Sequence, residues 1–102
     1  MKYQLVLQWP GVSVADYNRL VSLEKTIMDG LGDIGIVDGH DFGSGEMNIF
    51  VHTDKPNPTF KKIKALVAVW ENFKELKVGY RDFDEDDDTP IYPKGLKQFS
   101  VI

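Results

Sequence analysis

Two histidines, His40 and His52, stand near carboxylates in a chain that contains no cysteine. Disulfides, thiolate metal sites and cysteine nucleophiles are thereby excluded, and acid–base or metal chemistry falls to imidazole and carboxylate groups. The first cluster is Asp38, His40, Asp41 and Glu46, spread through a glycine-rich segment with Gly39, Gly43 and Gly45. Asp38 and His40 are two apart and share a face wherever the backbone is extended, so Asp38, His40 and Glu46 form an alternative metal set. Their spacing matches no specific metal motif, and a solvated hairpin tip accounts for the same residues more simply. The second cluster is Asn48, Phe50 and His52, which alternate along one strand face. His52 is the alternative acid–base group and Asn48 the group that would orient a ligand. The competing account is a half-buried histidine hydrogen-bonded across a sheet.

The third feature is acidic: Asp82-Phe83-Asp84-Glu85-Asp86-Asp87-Asp88. Acids at alternate positions resemble the start of a calcium loop. Counted from Asp82, however, the glycine position is Asp87 and the bidentate glutamate position is Pro93, so that reading fails. The run holds six of the 16 acidic residues, which leaves ten acids against 12 lysines and arginines elsewhere. The chain is thus near-neutral with one acidic segment, and like charges crowded together favour a cationic partner. Asp84, Glu85, Asp86, Asp87 and Asp88 join Asn48, Phe50 and His52 as expected ligand- or partner-binding residues. No basic stripe argues for nucleic acid. Phe50, Tyr80 and Phe83 could stack bases, yet the strand Glu46–His52 lacks the basic and aromatic signature of RNA-binding sheets. No phosphate-cradling glycine motif precedes a helix, and no cofactor is expected.

These groups need a scaffold. At 102 residues the chain is expected to form one domain, with residues 1–88 as its body and 89–102 as an arm. No apolar run approaches the roughly 18 residues of a membrane span. The short apolar start, interrupted at Gln8, reads as a first strand rather than a signal peptide, which leads to the expectation of a cytoplasmic, bacterial protein. Tyr3 to Trp9 alternates as a strand, with Tyr3, Leu5, Leu7 and Trp9 on one face. Ser13 is a helix N-cap with Asp16 in the capping-box position, and Val14, Tyr17, Leu20, Val21, Ile27, Met28 and Leu31 make an apolar stripe broken only by Glu24. That helix is expected to stop near Gly30 or Gly32.

Ile36 and Val37 form a strand that leads into a polar turn over Asp38–Gly45, and Glu46–Thr53 leads out as the partner strand. Asn57 or Thr59 then caps a second helix, with Pro58 in its first turn. The stripe of that helix is Phe60, Ile63, Leu66, Val67, Trp70 and Phe73, and Trp9 and Trp70 are expected in the core. Lys77–Phe83 is a last strand weakened by Gly79. Thr89–Lys97 reads as irregular, and Gln98–Ile102 as a short fifth strand or a swapped arm.

The order β-α-β-β-α-β is a split βαβ, or ferredoxin-like, α+β arrangement with both helices on one face of a four-stranded antiparallel sheet. Within that frame, Gly43-Ser44-Gly45-Glu46-Met47-Asn48-Ile49-Phe50 resembles small uncharacterised bacterial proteins of ferredoxin-like fold. Dimeric α/β-barrel proteins, including small monooxygenases, look similar in topology. The resemblance implies a fold and no residue roles. Leu5, Leu7, Met47, Ile49 and Val51 are expected beneath the helices, and Gln4, Val6, Gln8, Asn48, Phe50 and His52 on an open reverse face. The favoured function is a non-catalytic protein-binding domain, with an immunity or antitoxin-like role as one concrete version. Its partner is a protein or a second copy docked on the open sheet face. The alternative is a small-molecule enzyme or ligand sensor of the dimeric ferredoxin-like kind.

Overall fold

The computed structural model describes residues 1–67 and 75–101. Its elements are β1 (Tyr3–Pro10), α1 (Val14–Leu31), β2 (Gly35–Gly43), β3 (Glu46–Thr53), α2 (Pro56–Val67), β4 (Lys77–Asp82) and β5 (Thr89–Tyr92), with a 3-10 turn at Gly32–Ile34. All the strand pairings are antiparallel, in the spatial order β2-β3-β1-β4-β5. The chain is an α+β protein whose described residues form a five-stranded sheet, where the sequence pattern predicts four strands. The addition is Thr89–Tyr92, which pairs with β4 at the sheet edge. An edge tolerates Pro90, whose missing N–H costs no ladder bond when it faces outward, and the proline is what disguises the strand in the sequence. Gln98–Ile102, expected as a short fifth strand or a swapped arm, forms no strand over residues 98–101, and Ile102 lies outside the described residues.

Alternation in β1 and β3 places Leu5, Leu7, Trp9, Met47, Ile49 and Val51 in one core with Val78 of β4, Leu20, Leu23, Ile27 and Leu31 of α1, and Phe60, Ile63 and Val67 of α2. Both helices therefore pack on the same face of the sheet. Each fully buried aliphatic side chain contributes about 1.5–3 kcal/mol. The ion pairs on the outer side of α1, Arg19–Asp16 and Lys25–Asp29, are screened by water, so the core decides the fold. Trp9 takes its expected core place, while Trp70 and Phe73 lie outside the described residues.

Helix α1 begins as expected. Ser13 Oγ accepts from the Asp16 amide while the Asp16 carboxylate accepts from the Val12 and Ser13 amides. Those backbone donors hold the Asp16 carboxyl below its usual range. The helix closes at Gly32, whose φ of 67° a side chain would oppose. Leu20, Ile27 and Leu31 of the expected stripe are buried, Leu23 joins them, and the rest of that stripe faces out. Leu20, Leu23, Ile27 and Leu31 point inward, whereas Val14, Val21 and Met28 are exposed, because both sets satisfy three-four spacing and lie about a quarter-turn apart.

Two boundaries also move. The Gly35–Thr53 hairpin turns at Ser44-Gly45, with φ of 55° and 83°, and β2 runs on to Gly43 through the polar residues that the sequence pattern assigns to a turn. An edge strand can carry such residues because its outer side meets water. Helix α2 starts at Pro56, with Asn57, Pro58 and Thr59 inside its first turn. Proline suits the first helical position, where no intrahelical bond is lost. Thr59 Oγ1 donates to Lys55 O at 2.7 Å and meets Thr53 Oγ1, also at 2.7 Å, tying α2 to the end of β3. Replacing Ser13 with Ala removes one half of the α1 capping pair. Urea denaturation of Ser13→Ala should show a loss of about 1 kcal/mol with an unchanged m-value.

Candidate functional site

The edge strand β2 decides where the histidine cluster goes. Val37 pairs with Val51 but Gly39 pairs with Phe50, so Asp38 is an extra residue, a β-bulge. One inserted residue moves every later side chain to the opposite face. His40 and Phe42 consequently lie on the helix side, and His40 Nδ1 sits 2.9 Å from Glu24 Oε2 of α1. The Tyr17 ring stands edge-on to His40 at 5.7 Å and to Phe42 at 5.5 Å. Glu24, the one break in the apolar stripe, is thus the partner of His40. Its carboxylate orients the imidazole, and in the neutral ring the proton on Nδ1 leaves Nε2 as the basic nitrogen. Asp38 remains on the reverse face, with Oδ2 3.5 Å from His52 Nε2. Among the described residues, Asp38, His40 and Glu46 do not converge, and no group of three metal-binding side chains forms.

The reverse face is partly roofed by the chain itself. Beyond β5, the segment Gln98–Val101 crosses it, and Phe99 is 9% exposed although its neighbours Gln98 and Ser100 face water. The ring lies on the backbone of Gly79, where a Cβ would come within 2.5 Å of Phe99 Cδ1. Val6, cross-strand from Gly79 and on the same face, is fully buried. Beside them, the two hydrogens of Gln8 Nε2 are shared among three acceptors, Ser100 O at 2.9 Å, Asn48 Oδ1 at 3.0 Å and Glu46 Oε2 at 3.0 Å. Asn48 Nδ2 also donates to Glu46 Oε2, at 2.9 Å. Asn48 is fully buried, its amide engaged within the protein. The expected open face is therefore closed at the Gln8–Gly79 end by the arm, and it stays accessible towards Ile36, Phe50 and His52.

His52 belongs to a different neighbourhood from Asn48. Its ring meets Phe83 edge-on at 4.9 Å, and the Arg81 guanidinium lies 5.7 Å from the Phe83 ring centre. Phe50 is half-buried between the two regions.

The acidic run forms the loop between β4 and β5. Asp82 Oδ1 accepts from the Asp84 amide, the Glu85 amide donates to Asp82 O, and Arg81 Nη1 donates to Glu85 O. Asp84, Glu85, Asp86 and Asp87 are exposed on this braced turn, and Asp88 is half-buried. Burial pushes the Asp88 carboxyl up, opposed by Arg81 and reinforced by Asp87. Asp87 and Asp88 line a groove of about 600 Å³ together with Gln8, Lys77, Lys97 and Phe99. The groove brings together two of the expected acidic residues, Asp87 and Asp88, with Gln8 and Phe99, which the sequence pattern did not single out as a site, and Gly79 lies under the Phe99 ring beside it. Gly79 carried a signal for this, since glycine inside a strand often marks a close approach of another chain segment.

Comparison with protein-family models, with curated proteins and with solved structures finds no match.

Two outcomes test this geometry. Asn48→Ala leaves buried polar partners short of a bond and should cost about 1–3 kcal/mol in chemical denaturation, whereas His52→Ala, at a half-exposed site, should change stability by about 0.5 kcal/mol or less. A raised carboxyl pKa means that the folded state prefers the protonated acid, so the favourable contribution is present below the unfolded pKa and lost as pH rises through the folded one. Asp88→Asn should accordingly raise the thermal midpoint at neutral pH, with the difference from wild type vanishing as the pH is lowered into the carboxylate range.

Proposed function

We propose that this chain is a non-catalytic protein-interaction domain that presents the acidic β4–β5 loop to a basic partner surface, with an immunity or antitoxin-like role as its concrete form. The observation that carries the reading is the bracing of the loop. Its acids project from a turn already held by Asp82, Arg81 and the backbone, so binding would require little further ordering. Complementary charge of this kind speeds encounter and selects cationic partners. The strand order β2-β3-β1-β4 with both helices on one face supports a ferredoxin-like arrangement extended by β5. No helix among the described residues is long and apolar enough to cross a membrane. A bacterial, cytoplasmic setting and a dimer formed through the uncovered part of the reverse face belong to the same proposal.

A second reading, a small-molecule enzyme or ligand sensor of the dimeric ferredoxin-like kind, is favoured by the groove at Gln8 and Lys77, whose lining carries both signs of charge. A thermal-shift screen against metabolites separates the two. A compound that raises the midpoint and loses its effect in Lys77→Ala would favour the groove reading.

The test of the preferred reading is capture from native lysate at low ionic strength with the immobilised chain. Wild-type protein should retain a basic partner that salt elutes, and a variant carrying Asn or Gln at positions 84–87 should lose at least about tenfold of it. Equal capture by both, or none by either, would remove the acidic loop as the binding element.

A further inference from the structure

The segment Lys97-Gln98-Phe99-Ser100 is bound to the rest of the chain as a ligand is bound to a site. Its aromatic side chain is the buried element in an otherwise exposed stretch. Its Ser100 carbonyl is read by the Gln8 side-chain amide. Its Lys97 lines the same groove as Asp87, Asp88 and Glu46. The connection back to β5 is exposed over Pro93–Gly95, with Leu96 N bonded only locally, to Pro93 O. The seat has a shape of its own: Gly79 supplies a flat backbone surface for a ring, Val6 an apolar floor beside it, and Gln8 an amide donor whose two hydrogens the seat's carbonyl shares with Asn48 and Glu46.

We infer that this seat is a peptide-binding site for a partner segment bearing a lysine or arginine two residues before an aromatic side chain, and that residues 97–100 occupy it in cis as a built-in competitor. The inference rests on the reading of the β4–β5 loop as the contact for a basic partner, and it names what that partner must carry. The occupant is specified by complementarity on three counts. A ring fits only where Gly79 lacks a side chain. A main-chain carbonyl meets the Gln8 amide. A cation two residues earlier lines the same groove as the carboxylates Asp87, Asp88 and Glu46. Attachment through a short linker gives the cis segment an effective concentration in the millimolar range, so a free peptide competes poorly until the arm is disabled.

The test uses the full chain with Phe99→Ala, which empties the seat, and a synthetic peptide with the sequence of residues 94–101 as probe, titrated by calorimetry. Saturable binding to Phe99→Ala is expected, at least about tenfold weaker binding to wild type, and a loss of at least about tenfold when the peptide's phenylalanine is replaced by alanine or its lysine two positions earlier by glutamate. Adding Gly79→Ala to Phe99→Ala should abolish binding, because the new methyl group occupies the ring position. Absence of binding to a Phe99→Ala protein that keeps its circular dichroism spectrum would overturn the inference, and so would binding indifferent to the aromatic residue. Should Phe99→Ala not fold, the same peptide is titrated into wild-type protein at millimolar concentration, where shifts of the Gln8 side-chain amide resonance support the inference and their absence overturns it. A wild-type mass rising with concentration from 11.6 kDa towards twice that value, and reduced to monomer by Phe99→Ala, would assign the seat to a second copy's arm and overturn the partner-segment form. The two proposals fail separately: lysate capture that depends on the loop without peptide binding leaves the loop and removes the seat, and peptide binding without loop-dependent capture does the reverse.

Discussion

The ring of Phe99 occupies the space that a side chain at position 79 would fill. That single contact determines what the reverse face of the sheet can be. Without it, Val6, Gln8 and Asn48 would form a polar and apolar mosaic open to water; with it, they are buried, and the Gln8 amide has a main-chain carbonyl to bind. The balance is narrow. Burying a phenylalanine contributes about 2–3 kcal/mol, and one hydrogen bond adds about 1 kcal/mol. Fixing the backbone of Gln98, Phe99 and Ser100 costs about 1–2 kcal/mol per residue. An arm held by so close a difference can be exchanged for a better ligand, whereas the core under the helices, built from many fully buried aliphatic side chains, cannot open on the same terms.

Much of the framework was legible in the residues. Alternation in Tyr3–Trp9 and Glu46–Thr53 reported which side chains face the helices, because strand periodicity is local and strict. The Ser13–Asp16 capping pair and the Gly32 stop were readable for the same reason: each is a short-range interaction with a specific residue requirement. The orientation of α1 was legible only in part: the expected stripe held the buried Leu20, Ile27 and Leu31 together with the exposed Val14, Val21 and Met28. Leu20, Leu23, Ile27 and Leu31 compete with Val14, Val21 and Met28 for the inward face, and only tertiary packing chooses between two apolar stripes on one helix. Pro90 hid an edge strand, since the penalty of proline in a sheet depends on whether its missing donor points inward, which no local pattern states.

The histidine clusters show a sharper limit. Asp38 and His40 share a face only if the strand is regular, and a one-residue bulge separates them. The bulge gives His40 to Glu24 and leaves Asp38 to His52, producing two unrelated pairs from what looked like one group. Glu24 was visible as an anomaly in an apolar stripe, Gly79 as an anomaly in a strand, and each anomaly marked a tertiary contact. What the sequence lacked was the identity of the other member, because His40 and Phe99 reach those positions through topology rather than spacing. The acidic loop, by contrast, was recognisable as a unit; the structure adds its bracing by Arg81 and Asp82, which turns a charged run into a shaped surface.

Proton NMR of Gly79 examines the central contact most directly. An aromatic ring lying on the Gly79 backbone should shift a Gly79 Hα resonance strongly upfield, give a nuclear Overhauser effect to the Phe99 ring protons, and return the resonance to an ordinary strand value in Phe99→Leu. A Gly79 Hα at an ordinary shift in the wild-type protein, with no Overhauser contact to Phe99 and no response to Phe99→Leu, would contradict the self-occupied seat on which this account of the reverse face depends.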